Sequence, residues 1–255
     1  MDVATKEGKY IYCIIDSNQP RSFGPLGIGG RGDDVYTTCF NDIAAVVSNA
    51  PIKKYRISRE NSLTHEKAIE AVMAEHTVLP VRFATVTEDE EKVMKILEVE
   101  HERLRELLNR MKDKTELGVK AIFKEDVIYK HILEKYEDIR GLKEKITGLS
   151  PEKTHHQRME IGEMVEAALQ QEKQIVEEDI LNTLSPLAVE VKINDPYGEL
   201  MIINGAFLVE KEKEAEFDNQ VQELGDKYSE KIKFKFVGML PPFNFVNLVI
   251  ETERY

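Results

Sequence analysis

Two periodicities alternate along the second half of the chain, and their order leaves few folds open. ELGVKAIF (116–123) reads as a strand, and EDVIYKHILEKYEDIRGLKEK (125–145) as a highly charged helix ending near Gly148. Ser150-Pro151 pairs an N-cap with proline at the first helical position, opening a long helix to about Leu184. LAVEVKI (187–193) and ELMIINGAFLVE (199–210) are strands joined by Asp195-Pro196-Tyr197-Gly198, a turn signal. EKEAEFDNQVQELGDKYS (212–229) is helical, and KIKFKFVG (231–238) alternates Lys with apolar residues as a half-buried strand does. The order is βαββαβ, the ferredoxin-like split βαβ, with a helical insertion over about 125–148.

The first half is also α+β. YIYCIID (10–16) is β-branched and aromatic, a good first strand. VYTTCF (35–40) and IAAVVS (43–48) flank Asn41-Asp42, which predicts a tight hairpin. Apolar residues recur at helical spacing from Leu63 to His76, and VLPVRFATV then switches to a strand pattern. Thr87 and Glu90 form a capping box for the next helix, whose apolar face runs from Val93 to Met111. The expected architecture is two α+β domains, an N-terminal one over 1–113 and a ferredoxin-like one over 114–255.

Charge narrows the partners. Thirty-five basic against 47 acidic side chains leave a formal net charge of −12, which repels phosphate backbones, so nucleic acid is not an expected partner. FVGMLPPFNFVNLVI (236–250), the most apolar stretch, is broken by Pro-Pro and two Asn and is too short to span a bilayer. MDVATKEGKYIY has no basic segment followed by an apolar one, so no secretory signal and no lipid membrane are expected, and the protein is read as cytoplasmic. Cys13 and Cys39 lie in apolar runs and read as small hydrophobes of a reducing compartment.

Gly27-Ile28-Gly29-Gly30-Arg31-Gly32 matches G-x-G-x-x-G. A dinucleotide cradle needs those glycines directly between a strand and a helix, so that the helix N-terminus faces the pyrophosphate. Here another strand follows, and Asp33-Asp34 place negative charge where phosphate would lie. A flexible surface loop, removable at little cost, is the preferred reading. A ligand-binding or enzymatic ferredoxin-like protein using Gly27–Gly32 is the alternative. The six histidines are scattered, with no H-E-x-x-H, C-x-x-C or G-x-S-x-G in the chain. His155, His156 and Glu160 read as exposed helix residues, and no catalytic residue, metal or cofactor is expected.

HTVLPVRFATV (76–86) resolves into a helix end, His76-Thr77, and one buried strand built by Val78, Leu79, Val81, Phe83 and Val86. Arg82 is its odd residue, and a guanidinium in an apolar strand is expected to form a structural ion pair or to meet a partner protein. In the tail, Pro241-Pro242 stop the preceding strand and stiffen the chain, while Phe243, Phe245 and Val246 offer apolar side chains. These residues either pack back onto the protein's own sheet, with NLVIE as a last strand, or form a docking patch. Arg82, Pro241, Pro242, Phe243 and Phe245 are thus the partner-binding candidates.

Several of these stretches, YIYCIID, LTHEKAIEAVM followed by HTVLPVRFATV, ELGVKAIF and GMLPPFNFV, occur together in the order and spacing of a known family. The chain resembles the gas vesicle protein GvpF/GvpL family over nearly its whole length. Two places depart from the usual pattern: Ala84 stands where Gly commonly follows Arg-Phe, and Met239 and Phe243 stand where Pro and Tyr are common. The resemblance implies a non-enzymatic accessory or minor structural protein of gas vesicles, the gas-filled shells that give cells buoyancy. It implies the hydrophobic shell protein GvpA and other accessory gas vesicle proteins as partners, and a place in the cytoplasm or on the vesicle. It carries over no catalytic residue.

Overall fold

The run YIYCII has no polar face, and it becomes a strand buried on both sides. In the computed structural model, which describes residues 6–254, it lies in β1 (Glu7–Ile15). There follow β2 (Ser22–Gly24), β3 (Val35–Phe40), β4 (Ile43–Pro51), α1 (Arg59–Met73), β5 (Val78–Pro80), β6 (Val86–Thr87) and α2 (Glu90–Met111). These strands make one sheet in the order β2-β3-β4-β1-β5, with β6 also pairing β1. β3 and β4 form the expected hairpin, Phe40 facing Ile43 across a turn in which Asn41 takes φ 52°. Asn tolerates that left-handed conformation, which explains the residue chosen there. Both α1 and α2 pack on β1, and Ala68, Ile69 and Val72 of α1 share one core with Tyr10, Tyr12, Cys13 and Ile15.

The second sheet is built from β7 (Lys114–Phe123), β8 (Ala188–Ile193), β9 (Met201–Glu210) and β10 (Ile232–Leu240) in the order β10-β7-β9-β8. Three helices, α3 (Glu125–Lys135), α4 (Glu137–Ile146) and α5 (His155–Leu184), connect β7 to β8, and α6 (Glu214–Lys227) connects β9 to β10. The core unites Leu117, Val119 and Ala121 of β7 with Phe207 and Phe217, whose rings lie 5.2 Å apart. The fold is α+β with two antiparallel sheets. No helix among the described residues is long and apolar enough to cross a membrane.

Several expected boundaries move, each for a local reason. The insertion over 125–148 is two helices, because Tyr136 is extended (φ −99°, ψ 95°) and separates α3 from α4. Pro151 opens a short 3₁₀ turn rather than the long helix, and α5 starts at His155. Thr87 is taken up by pairing with Lys9 in the sheet, so Asp89 caps α2 instead, accepting the N–H of Lys92 at 2.9 Å.

The chain divides into two compact units, residues up to Glu116 together with those from Met239, and Leu117–Gly238. The terminal segment therefore belongs with the first unit and not, as the division at 113/114 expected, with the second. Leu248 supplies the reason: it bridges Val81 in parallel, and its carbonyl accepts the N–H of Arg82 at 3.3 Å. NLVIE contributes that bridge and no longer strand.

Candidate docking surface

β5 and β6 both pair with β1, but the chain between them is longer than the stretch it faces. Val81 N–H donates to Tyr12 O at 2.9 Å and Ile11 N–H donates to Thr85 O at 3.0 Å. Two neighbouring residues of β1 thus face positions four apart, so Arg82, Phe83 and Ala84 are pushed out of the sheet as a bulge. The expected continuous strand is interrupted here, and Ala84 turns the chain with φ 66°. Arg82 is exposed, and among the described residues no carboxylate or carbonyl meets its guanidinium. Among the described residues the expected structural ion pair is not formed, because the bulge carries the side chain out to water.

A buried polar string fixes the base of this bulge. The Val81 carbonyl, 3.2 Å from His65 Nε2, can only accept, so Nε2 carries the imidazole proton. His65 Nδ1 then accepts from the Tyr10 hydroxyl at 3.1 Å, and that hydroxyl accepts the N–H of Ala84 at 2.9 Å. Burial disfavours the imidazolium and brings the pKa of His65 down to about 4, only partly opposed by the bond to Val81. Burial also pushes the Tyr10 phenol up. Both groups are therefore neutral at pH 7, and they position backbone.

The tail completes the surface. After β10, Phe243 N–H donates to Pro241 O at 2.7 Å and Val246 N–H to Pro242 O at 2.9 Å, a tight turn set by the two prolines. Glu116, 2% exposed, accepts the backbone N–H and side-chain amide of Asn244. Pro241, Pro242 and Phe245 are buried, whereas Phe243 remains 41% exposed with its ring centroid 6.4 Å from that of His65. Arg82, Phe83, Phe243 and Leu248 with His65 line a cleft of about 290 Å³. Of the five candidates, the structure brings Arg82 and Phe243 together at the surface and places the other three beneath it.

The glycine loop does different work from that expected. It runs from β2 to β3, so no helix N-terminus follows it. Ile28 is fully buried, and its N–H donates to the Tyr12 hydroxyl at 2.8 Å, which also hydrogen-bonds Ser48 at 2.9 Å. Gly27 passes so close to Asp33 that a Cβ would lie 2.7 Å from its carbonyl oxygen. Arg31 is held by Glu7 at 2.8 Å and by Asp33 at 3.0 Å. Gly27 and Ile28 are pinned into the core while Gly29–Gly32 stay at the surface, and the segment's cation is already neutralised, so neither a wholly free loop nor a phosphate cradle describes it. The signal was present in Tyr10 and Tyr12, since buried phenols need partners.

In the second unit, Glu172 of α5 gathers Lys135 at 2.6 Å, Tyr136 at 2.9 Å and His131 at 3.3 Å. Burial acts to raise its carboxyl, but the bonds from Lys135 and Tyr136 outweigh that and hold it below the usual carboxylate range. This cluster ties α3 and the α3–α4 junction at Tyr136 to α5, and nothing local in the sequence announced it. Cys13 is buried and its thiol pushed up by that burial, while Cys39 is half-buried. Among the described residues no group of three or more His, Cys, Asp or Glu is placed to hold a metal ion.

Comparison with known proteins agrees with the resemblance. The family model described as gas vesicle synthesis protein GvpL/GvpF matches residues 8–247. The chain belongs to the GvpL/GvpF family. Gas vesicle protein F of Dolichospermum flosaquae is 29% identical over 94% of this chain and 97% of its own length. Its counterpart from Streptomyces sp. (strain CB03234) is 30% identical over 93% and 98%. The crystal structure of GvpF from Anabaena sp. PCC7120 superposes with TM-score 0.80 at 28% identity, covering 95% of this chain and 99% of that one. GvpF from Microcystis aeruginosa gives TM-score 0.75 at 26% identity, over 94% and 99%. Membership makes this GvpL/GvpF chain a gas vesicle-associated protein.

Proposed function

We propose that this chain acts without catalysis during gas vesicle assembly, binding the hydrophobic shell protein GvpA and, through it or beside it, other accessory gas vesicle proteins. On this reading it belongs to the F-like branch, serves buoyancy indirectly, and works in the cytoplasm and at the vesicle. The strand order β10-β7-β9-β8 supports a ferredoxin-like second unit as its scaffold. One observation carries the functional reading: Phe243 stays 41% exposed on a turn whose flanking Pro241, Pro242 and Phe245 are buried. An aromatic ring held open on a stiff support loses little entropy on docking, which is what an anchor residue requires.

Arg82 beside it offers a cation that meets no side-chain partner among the described residues, able to orient whatever the ring contacts. A shell protein bound for a water-excluding wall must hide apolar surface beforehand, and a carrier of net charge −12 keeps such complexes apart. Co-purification of GvpA with the wild type and with Phe243→Ser tests this. Capture by the wild type and its loss in the folded variant support the reading; no capture by the wild type removes it.

A further inference from the structure

Between residues 140 and 158 the chain reverses its charge: five Lys or Arg stand against two Glu, in a protein whose formal net charge is −12. The same segment borders a cleft of about 360 Å³ among α3, α4 and α5. Its floor is apolar, formed by Tyr129, Leu133, Ile146, Ile161 and Val165. Lys143 from α4 and Arg158 from α5 also line it, and among the described residues neither meets a carboxylate. Arg158 is nonetheless held in place, its Nε donating to Thr154 Oγ1 at 3.0 Å, which leaves the other guanidinium N–H groups available. Leu149, 51% exposed and hydrogen-bonded back to Ile146 at 3.1 Å, adds apolar surface next to Ile146.

We propose that this cleft docks an acidic amphipathic helix of a partner protein, an apolar side chain entering it while neighbouring carboxylates meet Lys143 and Arg158. Charge complementarity selects the partner: carboxylates are repelled by the molecule as a whole but attracted by this segment, which gives orientation as well as affinity. A nucleic acid would satisfy the cations and leave the apolar floor wet. The volume suits one or two side chains, so the rest of the contact lies outside the cleft, along a helix laid across it. This surface is independent of the Phe243 cleft and of the shell-protein reading.

The probe is a fluorescein-labelled helical peptide of about 20 residues, with a Leu stripe flanked by Glu. Controls are a scrambled peptide of equal charge, single-stranded oligo(dT) and phosphatidylserine vesicles, all titrated against the full chain. The striped peptide is expected to bind at least about tenfold tighter than the scrambled one. Lys143→Glu with Arg158→Glu, both exposed, is expected to abolish that preference with the circular dichroism unchanged. Ile161→Ser, checked by thermal melt, is expected to weaken the striped peptide alone. Equal binding of both peptides, preference for the oligonucleotide or the vesicles, or indifference to the charge reversal overturns the proposal.

Discussion

The carboxylate of Glu116 holds Asn244 twice, accepting its backbone N–H at 2.9 Å and its side-chain amide at 2.6 Å. The two residues are 128 positions apart, so the pair fastens the chain terminus onto the start of β7. A buried carboxylate receiving two donors contributes roughly 1.5–3 kcal/mol per charged hydrogen bond. Asn244→Ala keeps the backbone contact and is expected to cost about 2 kcal/mol in urea unfolding. Amide exchange should quicken over 244–248 before it does in β1. Unchanged protection in that segment would show that the prolines alone hold the tail.

His65 makes stability depend on pH. Its pKa is about 4 in the fold against 6.5 for an ordinary imidazole. Between those values the unfolded chain takes up a proton that the folded chain refuses. Stability is therefore complete above pH 6.5 and declines as the pH falls toward 4, by about 3 kcal/mol in all. Glu172, held low, adds a loss in the carboxylate range of the same sign. His65→Gln removes only the first part, so its unfolding free energy should change less than that of the wild type between pH 7.5 and 5. Identical slopes for the two proteins would mean that His65 titrates normally.

Ile28 is the test of the glycine loop. A fully buried isoleucine in the first core resists truncation, and Ile28→Ala is expected to cost about 2–4 kcal/mol. Deleting residues 24–32 removes that side chain and the donor to Tyr12, and should destabilise more. A deletion variant with wild-type melting would restore the view of a free surface loop.

Ala84 carries a strain that one substitution relieves. The left-handed conformation at φ 66° costs a residue with a Cβ about 1–2 kcal/mol, against roughly 0.5–1 kcal/mol of extra chain entropy for glycine. Ala84→Gly should therefore raise stability by up to about 1 kcal/mol, some 2–4 °C in Tm for a chain of this size. Its backbone N–H still reaches Tyr10. A lower Tm would mean that the methyl group packs usefully against its neighbours.

What the sequence displayed was whatever a local pattern encodes. YIYCII can only be a buried strand, Asn41-Asp42 can only be a turn, and the βαββαβ order follows from alternating periods. The bulge at Arg82–Ala84 was hidden because Val81 and Phe83 keep the two-residue period while the backbone leaves the sheet. The tail's attachment and the Glu172 cluster depend on partners 128 and 37 residues away, and no window-based reading reaches them. The candidate site followed the same rule: its residue types were visible, but which of them face solvent was decided by packing.

Arg82, Phe243 and Phe245 separate surface from core by experiment. Arg82 is exposed and its guanidinium is unpaired among the described residues, so Arg82→Ala should leave stability within about 0.5 kcal/mol of wild type. Phe243, at 41% exposure, should tolerate Ser with a loss of about 1–2 kcal/mol, since only part of its ring is out of water. Phe245, at 6%, is a core residue, and Phe245→Ser should cost about 3–5 kcal/mol through the cavity and the buried hydroxyl. Urea unfolding of the three variants gives the stability order, and co-purification with GvpA gives the binding order. Arg82→Ala and Phe243→Ser are expected to lose binding while folded, whereas any loss in Phe245→Ser should track its unfolded fraction. If folded Phe243→Ser and Arg82→Ala both bind as well as wild type, the cleft is not the docking surface.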